Sequence, residues 1–236
     1  MKISTLTCSS SSRPADAHHT GRYQNGFDAT PDSLLCHRIL AHIHLLDRDY
    51  PSAITVATSG LNIVRRTERL TGLTLSNSRL AFQSSLATSY VHHFSPKHHP
   101  LAEPLLETIL TARPDDAEAL MGRGHVLEAK KEWAEAKSAF AEAVKVLQAI
   151  GGGRRMEVAR EELGWCAFKV GEQDEGREML QSVLDGLDER QEKDEMAIEQ
   201  GARVAWKLGM CHWQLENGTS RLSLILILQF LTRSHT

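Results

Sequence analysis

Histidines are the residues of this chain best suited to chemistry, and the chemistry they would do is metal binding or proton transfer. There are twelve of them. His92-His93 and His98-His99 bracket Phe94-Ser95-Pro96-Lys97, while His42 and His44 lie two residues apart. A zinc site draws Cys, His or carboxylate ligands onto one face. No cysteine accompanies these histidines, and the two doublets fall at a predicted helix end and in a turn. Residues three or four apart share a helix face, so His42 and His44 point in different directions. They read as solvated or core-edge histidines, and no metal is expected.

Two carboxylate pairs, Asp115-Asp116 and Glu161-Glu162, would suit general acid–base work. Asp115-Asp116 falls where a helix is predicted to begin, and acids there cap the helix and favour its dipole. The four cysteines, Cys8, Cys36, Cys166 and Cys211, form no CxxC pair and read as reduced, partly buried thiols of an intracellular protein. Nucleophile motifs, phosphate loops and dinucleotide fingerprints are missing from the sequence. Gly151-Gly152-Gly153 follows a predicted helix rather than a strand, so it reads as a flexible link and not a phosphate cradle. No enzyme, cofactor or small-molecule substrate is expected.

The elements that must position these residues are helices in pairs. With Ala117 as position one, Leu120 stands at four, Gly124 at eight and Leu127 at eleven. Ala136 follows at twenty, Phe140 at twenty-four and Ala143 at twenty-seven. That order of large, Gly, large, Ala and Phe is the tetratricopeptide (TPR) pattern. Leu120, Gly124 and Leu127 share one helix face, and Ala136, Phe140 and Ala143 share another. Small residues let the helices approach, and the larger ones fill the space beside that contact. A single pair cannot bury its own face and must stack on neighbours.

The same offsets recur. Ala41, Ala53 and Gly60 keep them, with Tyr50-Pro51 at the junction, and Gly164, Gly176 and Val183 keep them again. Leu163 precedes that glycine, Gly171 marks its turn and Leu180 takes the large slot. Ala102 and Ile109 end a further pair closed by Pro114, whose first helix is predicted near Ser78–His93 with Tyr90 in a slot that usually holds a small residue. Leu208-Gly209 repeat the large-then-glycine signal of a fifth pair beginning at Ala205, with Trp206 and Trp213 nearby. The steps from Gly124 to Gly164 and from Gly164 to Gly209 are 40 and 45 residues, longer than the regular TPR period. The glycine link at 151–153 would absorb the first excess, and a longer helix over Asp185–Gln200 the second.

The expected architecture is therefore all-α, a TPR-like helical-hairpin solenoid with irregular repeats. Residues 1–30, polar and without period, are expected to be disordered. Residues 31–215 form an array of four to five helix pairs. Residues 216–236 contain the apolar run Leu222–Leu231, which lacks the polar outer face of a terminal repeat and suggests a misassembled gene model or a covered surface. That run is too short to span a bilayer. A net charge of −3 gives no overall pull toward nucleic acid or anionic membrane, and no signal peptide is evident. The cytosol or the nucleus is the expected compartment. The acidic run Asp185–Glu199 reads as a solvated helix face.

In a TPR array, positions two, five, nine, twelve and thirteen of the first helices face the groove. Positions five and nine read Arg38 and His42, then Met121 and His125, then Glu161 and Trp165. TPR co-chaperones that grip a C-terminal carboxylate use Lys and Asn there, so a carboxylate clamp is disfavoured.

Two stretches carry a closer likeness. Ala87-Thr88-Ser89-Tyr90-Val91-His92-His93, running on to Ser95-Pro96-Lys97-His98-His99-Pro100 and Leu105-Leu106-Glu107-Thr108-Ile109-Leu110, is one. Ala205-Trp206-Lys207-Leu208-Gly209-Met210-Cys211-His212-Trp213 is the other. Together they resemble the TPR scaffold subunit of the fungal superkiller complex, over about Pro31 to Leu215. The resemblance implies a non-enzymatic scaffold that holds a DExH-type RNA helicase and WD-repeat subunits while mRNA is fed to the cytoplasmic exosome for 3′-to-5′ decay. No direct nucleic-acid contact by this chain is implied. The other reading is a generic TPR adaptor or co-chaperone with a peptide in its groove.

Overall fold

A computed structural model describes residues 32–188 and 195–215. The expectations for residues 1–30 and for the tail from 216 lie outside the described residues, as does the middle of the acidic run, 189–194. Every described element is helical, which bears out the all-α reading. The chain divides into two compact units at His93/Phe94, inside the second of the pairs along the chain.

The first unit holds α1 (Leu34–Leu46), α2 (Tyr50–Thr71) and α3 (Ser76–His92). Ser33 caps α1 by accepting from the Cys36 amide at 3.3 Å. Asp49 caps α2 by accepting from the Ser52 amide at 3.2 Å, with Pro51 in the first turn where its missing N–H costs nothing. Helix α3 packs on both α1 and α2. Gly60 makes that approach possible, because a Cβ there would lie 2.4 Å from the Phe82 ring. His37 is fully buried, with Nδ1 2.9 Å from the Ser33 carbonyl and Nε2 3.1 Å from Ser59 Oγ. A buried imidazole with both nitrogens bonded is a packing element.

The second unit holds α4 (His99–Ala112), α5 (Ala117–Ala129), α6 (Trp133–Ala149), α7 (Gly153–Val170), α8 (Gln173–Asp188) and α9 (Glu195–Leu215). Consecutive helices pack in series, and α9 also reaches back to α7. Asp116 caps α5, accepting from the Ala119 amide at 3.1 Å. Gly171 ends α7 at φ 109°, a left-handed conformation that suits glycine. In the α5–α6 pair a Cβ on Gly124 would lie 2.5 Å from the Phe140 ring, so the ring occupies the notch glycine leaves. In the α7–α8 pair a Cβ on Gly176 would lie 2.5 Å from the Gly164 carbonyl oxygen, so backbone meets backbone. Trp165, Phe168, Leu180, Val183, Leu187, Val204, Leu208 and Cys211 belong to the core beneath α7, α8 and α9.

The spacing places one long helix over Asp185–Gln200 and opens the last pair at Ala205. Helix α8 is described to Asp188 and α9 from Glu195, with the stretch between them outside the described residues, and the last helix opens at Glu195 rather than at Ala205. The extra length lies in the first turns of α9, where buried Ala197 and Gln200 tie the added residues to the protein interior.

Candidate functional site

The structural positions of the repeat pattern lie inside their units. Ala41, Ala53, Gly60, Ala102, Leu120, Gly124, Ala136, Phe140, Ala143, Gly164, Gly176, Leu180, Leu208 and Gly209 are buried. Leu127 and Leu163 are half-buried against Ala136, Phe140 and Cys166.

The candidate groove residues divide between the units. Arg38 and His42 are exposed on α1. Met121 and His125 lie half-buried on α5, Glu161 and Trp165 buried on α7. Met121 rests on the Ala136–Phe140–Cys166 cluster, and His125 meets the Phe140 ring edge-on at 5.3 Å. Glu161 has no exposed surface, so it is not offered to a ligand as an open groove position would be.

The carboxylate of Glu161 is occupied by α9. Arg203 donates to both of its oxygens at 3.1 Å, a forked pairing that matches the two groups' geometry. Lys207, one turn further along α9, donates to Glu161 at 3.0 Å and to Glu162 at 2.7 Å. Two acids thus meet two bases. The i,i+4 spacing puts both cations on one face, and α7 presents both acids to them. Burial works against the Lys207 ammonium, but the Glu162 and Glu161 carboxylates outweigh it and raise its pKa. Burial also opposes the Arg203 charge, and its bonds to Glu161 overcome that. A buried charge left alone is costly, so the four groups hold α7 and α9 in one register.

Beside this cluster, His125 Nδ1 lies 3.6 Å from Glu128 Oε2. Ligand atoms of His125, Glu128 and Glu162 all fall within 4.8 Å of one another. Their types would suit a divalent ion, but Lys207 already holds Glu162, and its ammonium opposes a second cation. Burial raises the Cys166 pKa, with Glu128 and Glu162 adding to it, and burial raises Cys211 to about 11. Both are neutral thiols at physiological pH rather than nucleophiles.

The outer part of the same surface is aromatic. Trp165 stacks on Phe168 at 6.3 Å and 11°, and Trp206 leans on Trp165 at 6.0 Å and 45°. Lys169 Nζ lies 4.2 Å above the Trp165 ring and donates to Gln214 Oε1 at 3.3 Å. Trp206 and Trp213 each keep 50% of their surface exposed. The sequence pattern placed Trp165 in the groove but gave Arg203 and Lys207 no role and left Trp206 and Trp213 as flanking residues. A signal existed: with Gly209 as position eight, Arg203 falls at two, Trp206 at five and Trp213 at twelve, all groove positions.

No family model matches the chain. Among curated proteins it is similar to Superkiller protein 3 of Saccharomyces cerevisiae, 27% identical over 156 residues, covering 66% of this chain and 10% of the relative. It is also similar to Superkiller protein 3 of Schizosaccharomyces pombe, 28% identical over 182 residues, covering 76% of this chain and 12% of the relative. The chain thus spans about a tenth of the length of these relatives. Among solved structures it is similar to a TPR protein of Thermus thermophilus, with TM-score 0.55, 17% identity, and 80% of this chain and 90% of that one covered. YrrB, a TPR protein with an unusual peptide-binding site, gives TM-score 0.53 at 14% identity, covering 89% of this chain and 93% of its own. A Podospora anserina putative kinesin light chain with nearly identical TPR-like repeats gives 0.58 at 18%, covering 86% and 94%. At such identities the structures establish the fold. The chain is an all-α TPR array, and the resemblance read from its sequence is borne out by its similarity to a stretch of Superkiller protein 3.

Proposed function

We propose that this chain is a length of non-enzymatic TPR scaffold that serves cytoplasmic mRNA turnover by holding protein partners. The observation that carries the reading is the similarity to Superkiller protein 3 over most of the chain. By that resemblance the partners are a DExH-type RNA helicase and WD-repeat subunits, and the process is exosome-mediated 3′-to-5′ decay. RNA contact belongs to the partners, since Arg203 and Lys207 are taken up by Glu161 and Glu162. Among the described residues no helix is long and apolar enough to cross a membrane.

Affinity purification of the endogenously tagged chain, followed by mass spectrometry, tests this. Recovery of a helicase together with a WD-repeat protein is the expected result. Chaperones alone would instead favour the peptide-binding adaptor or co-chaperone. That second reading predicts binding of a short C-terminal peptide that is lost on His125→Ala.

A further inference from the structure

Helix α2 is longer than its repeat requires. Gly60 is its last repeat position, the counterpart of Ala143 in α6, yet α2 runs on to Thr71 whereas α6 stops at Ala149. The surplus turns carry Arg65, Arg66, Arg69 and Leu70, all exposed. Leu70, and Leu73 just past the helix, keep 76% and 66% of their surface open. A lone exposed leucine is ordinary, but these two stand beside three arginines. The bonds around the helix end hold them there. Gly72 stops α2 at φ 71°, its amide donating to the Glu68 carbonyl. The Leu73 amide donates to Thr71 Oγ1 at 3.2 Å and the Leu75 amide to Glu68 Oε1 at 2.8 Å. A turn fixed in this way loses little freedom when a ligand covers it.

Charge says what kind of ligand. Between Gly60 and Leu75 the one acid is Glu68, and it is taken up by Arg79 and the Leu75 amide. Arg66 lies 3.9 Å from Asp32, but both side chains are mostly exposed and water screens the pairing. Among the described residues Arg65 and Arg69 meet no carboxylate, and Arg69 Nε donates instead to the Arg65 carbonyl at 3.3 Å. The two stand one turn apart on one face of the helix. The helix dipole favours a cation in the last turn, which accounts for Arg69 but not for Arg65 and Arg66. A guanidinium fork matches a carboxylate, and the leucines beside it match apolar side chains. Single-stranded RNA would need aromatic platforms among the cations, and no aromatic residue occurs between Gly60 and Leu75.

We infer that the overhanging end of α2, with Arg65, Arg66, Arg69, Leu70 and Leu73, is a docking face for an acidic and apolar segment of a partner protein. Carboxylates of the segment pair with Arg65 and Arg69, and its apolar side chains cover Leu70 and Leu73. The face belongs to the second helix of its pair and lies outside the positions that line the groove. The inference rests on the scaffold reading and names the chemistry of one partner contact.

Fluorescence anisotropy on the full chain tests it with three labelled probes: a short peptide of Asp and Leu, its twin with Lys for Asp, and oligo-uridine RNA. Co-sedimentation with phosphatidylserine vesicles adds an anionic membrane. Saturable binding of the acidic peptide alone is expected, weakening as salt is raised. Arg65→Glu with Arg69→Glu should lower its affinity about tenfold or more. The same pair should transfer the preference to the basic twin, a gain that a misfolded variant cannot show. Leu70→Ser with Leu73→Ser should weaken binding about threefold or more. Lys145→Glu, a charge reversal on the exposed face of α6, should leave it unchanged. Equal binding of both peptides, indifference to the arginine changes, an equal loss in Lys145→Glu, or binding of RNA or vesicles in place of the peptide would overturn the inference. Recovery of the helicase and WD-repeat protein, undiminished by the α2 substitutions, would leave the scaffold reading standing while this face falls.

Discussion

The α5–α6 and α7–α8 pairs both place glycine where two helices approach, yet they use the space differently. At Gly124 the Phe140 ring fills the notch. At Gly164 and Gly176 the two backbones meet directly, with a would-be Cβ on Gly176 also 2.6 Å from the Phe168 nitrogen. The difference extends to position five of each first helix. Met121 on α5 is apolar and rests on the Ala136–Phe140–Cys166 cluster. Glu161 on α7 is charged and, with α7 packed by α6, α8 and α9, cannot reach water. One pair is closed by apolar packing to which the next helix adds Cys166, and the other by a charge pairing that α9 must complete.

Removing one partner from the charged pair should have the largest effect. Glu161→Ala leaves Lys207 buried with half its partners and should cost about 3–5 kcal/mol, whereas Met121→Leu at the same register should cost less than about 1.5. Denaturant unfolding of both variants measures the contrast, and equal costs would contradict it. The same lysine sets a pH dependence. Its folded pKa is raised, so its contribution is fully present below the ordinary lysine value and is lost as pH rises through the higher folded one. Stability should therefore fall above about pH 10.5, and Lys207→Met should lack that fall while being weaker at neutral pH.

Next come the glycines. Gly176→Ala drives a methyl into backbone that cannot turn aside, and a loss of about 3 kcal/mol or more is expected from thermal melts. Gly124→Ala meets a ring instead, so a cost of about 1–3 kcal/mol should be partly recovered when Phe140→Leu is added. If that second change gave no recovery, the ring would not be what Gly124 accommodates. The smallest effect should have the opposite sign. Gly186 of α8 has nothing within 4 Å of a would-be Cβ. Gly186→Ala should thus stabilise the protein by about 0.5–1 kcal/mol through helix propensity alone.

Much of this architecture is local, and so it is legible in the chain. The twelve-then-seven offsets of small residues predict which helices pair, because both partners lie within one short stretch. Asp116 announces the start of α5 for the same reason, its carboxylate reaching an amide three residues on. The second excess in repeat length was harder to place. Spacing opens the last pair at Ala205, and only the packing of Ala197 and Gln200 shows that the helix entering the core starts ahead of it.

An all-α TPR array is written in the chain itself, since helix period and residue size act between near neighbours, and so is the superkiller likeness, carried by stretches such as 205–213. What Glu161 and Glu162 do follows from packing between distant helices. Their partners stand 42 to 46 residues away, and no local pattern states that α9 returns to α7. A carboxylate's fate depends on whether water or a cation reaches it, and that is settled only when the helices around it have packed.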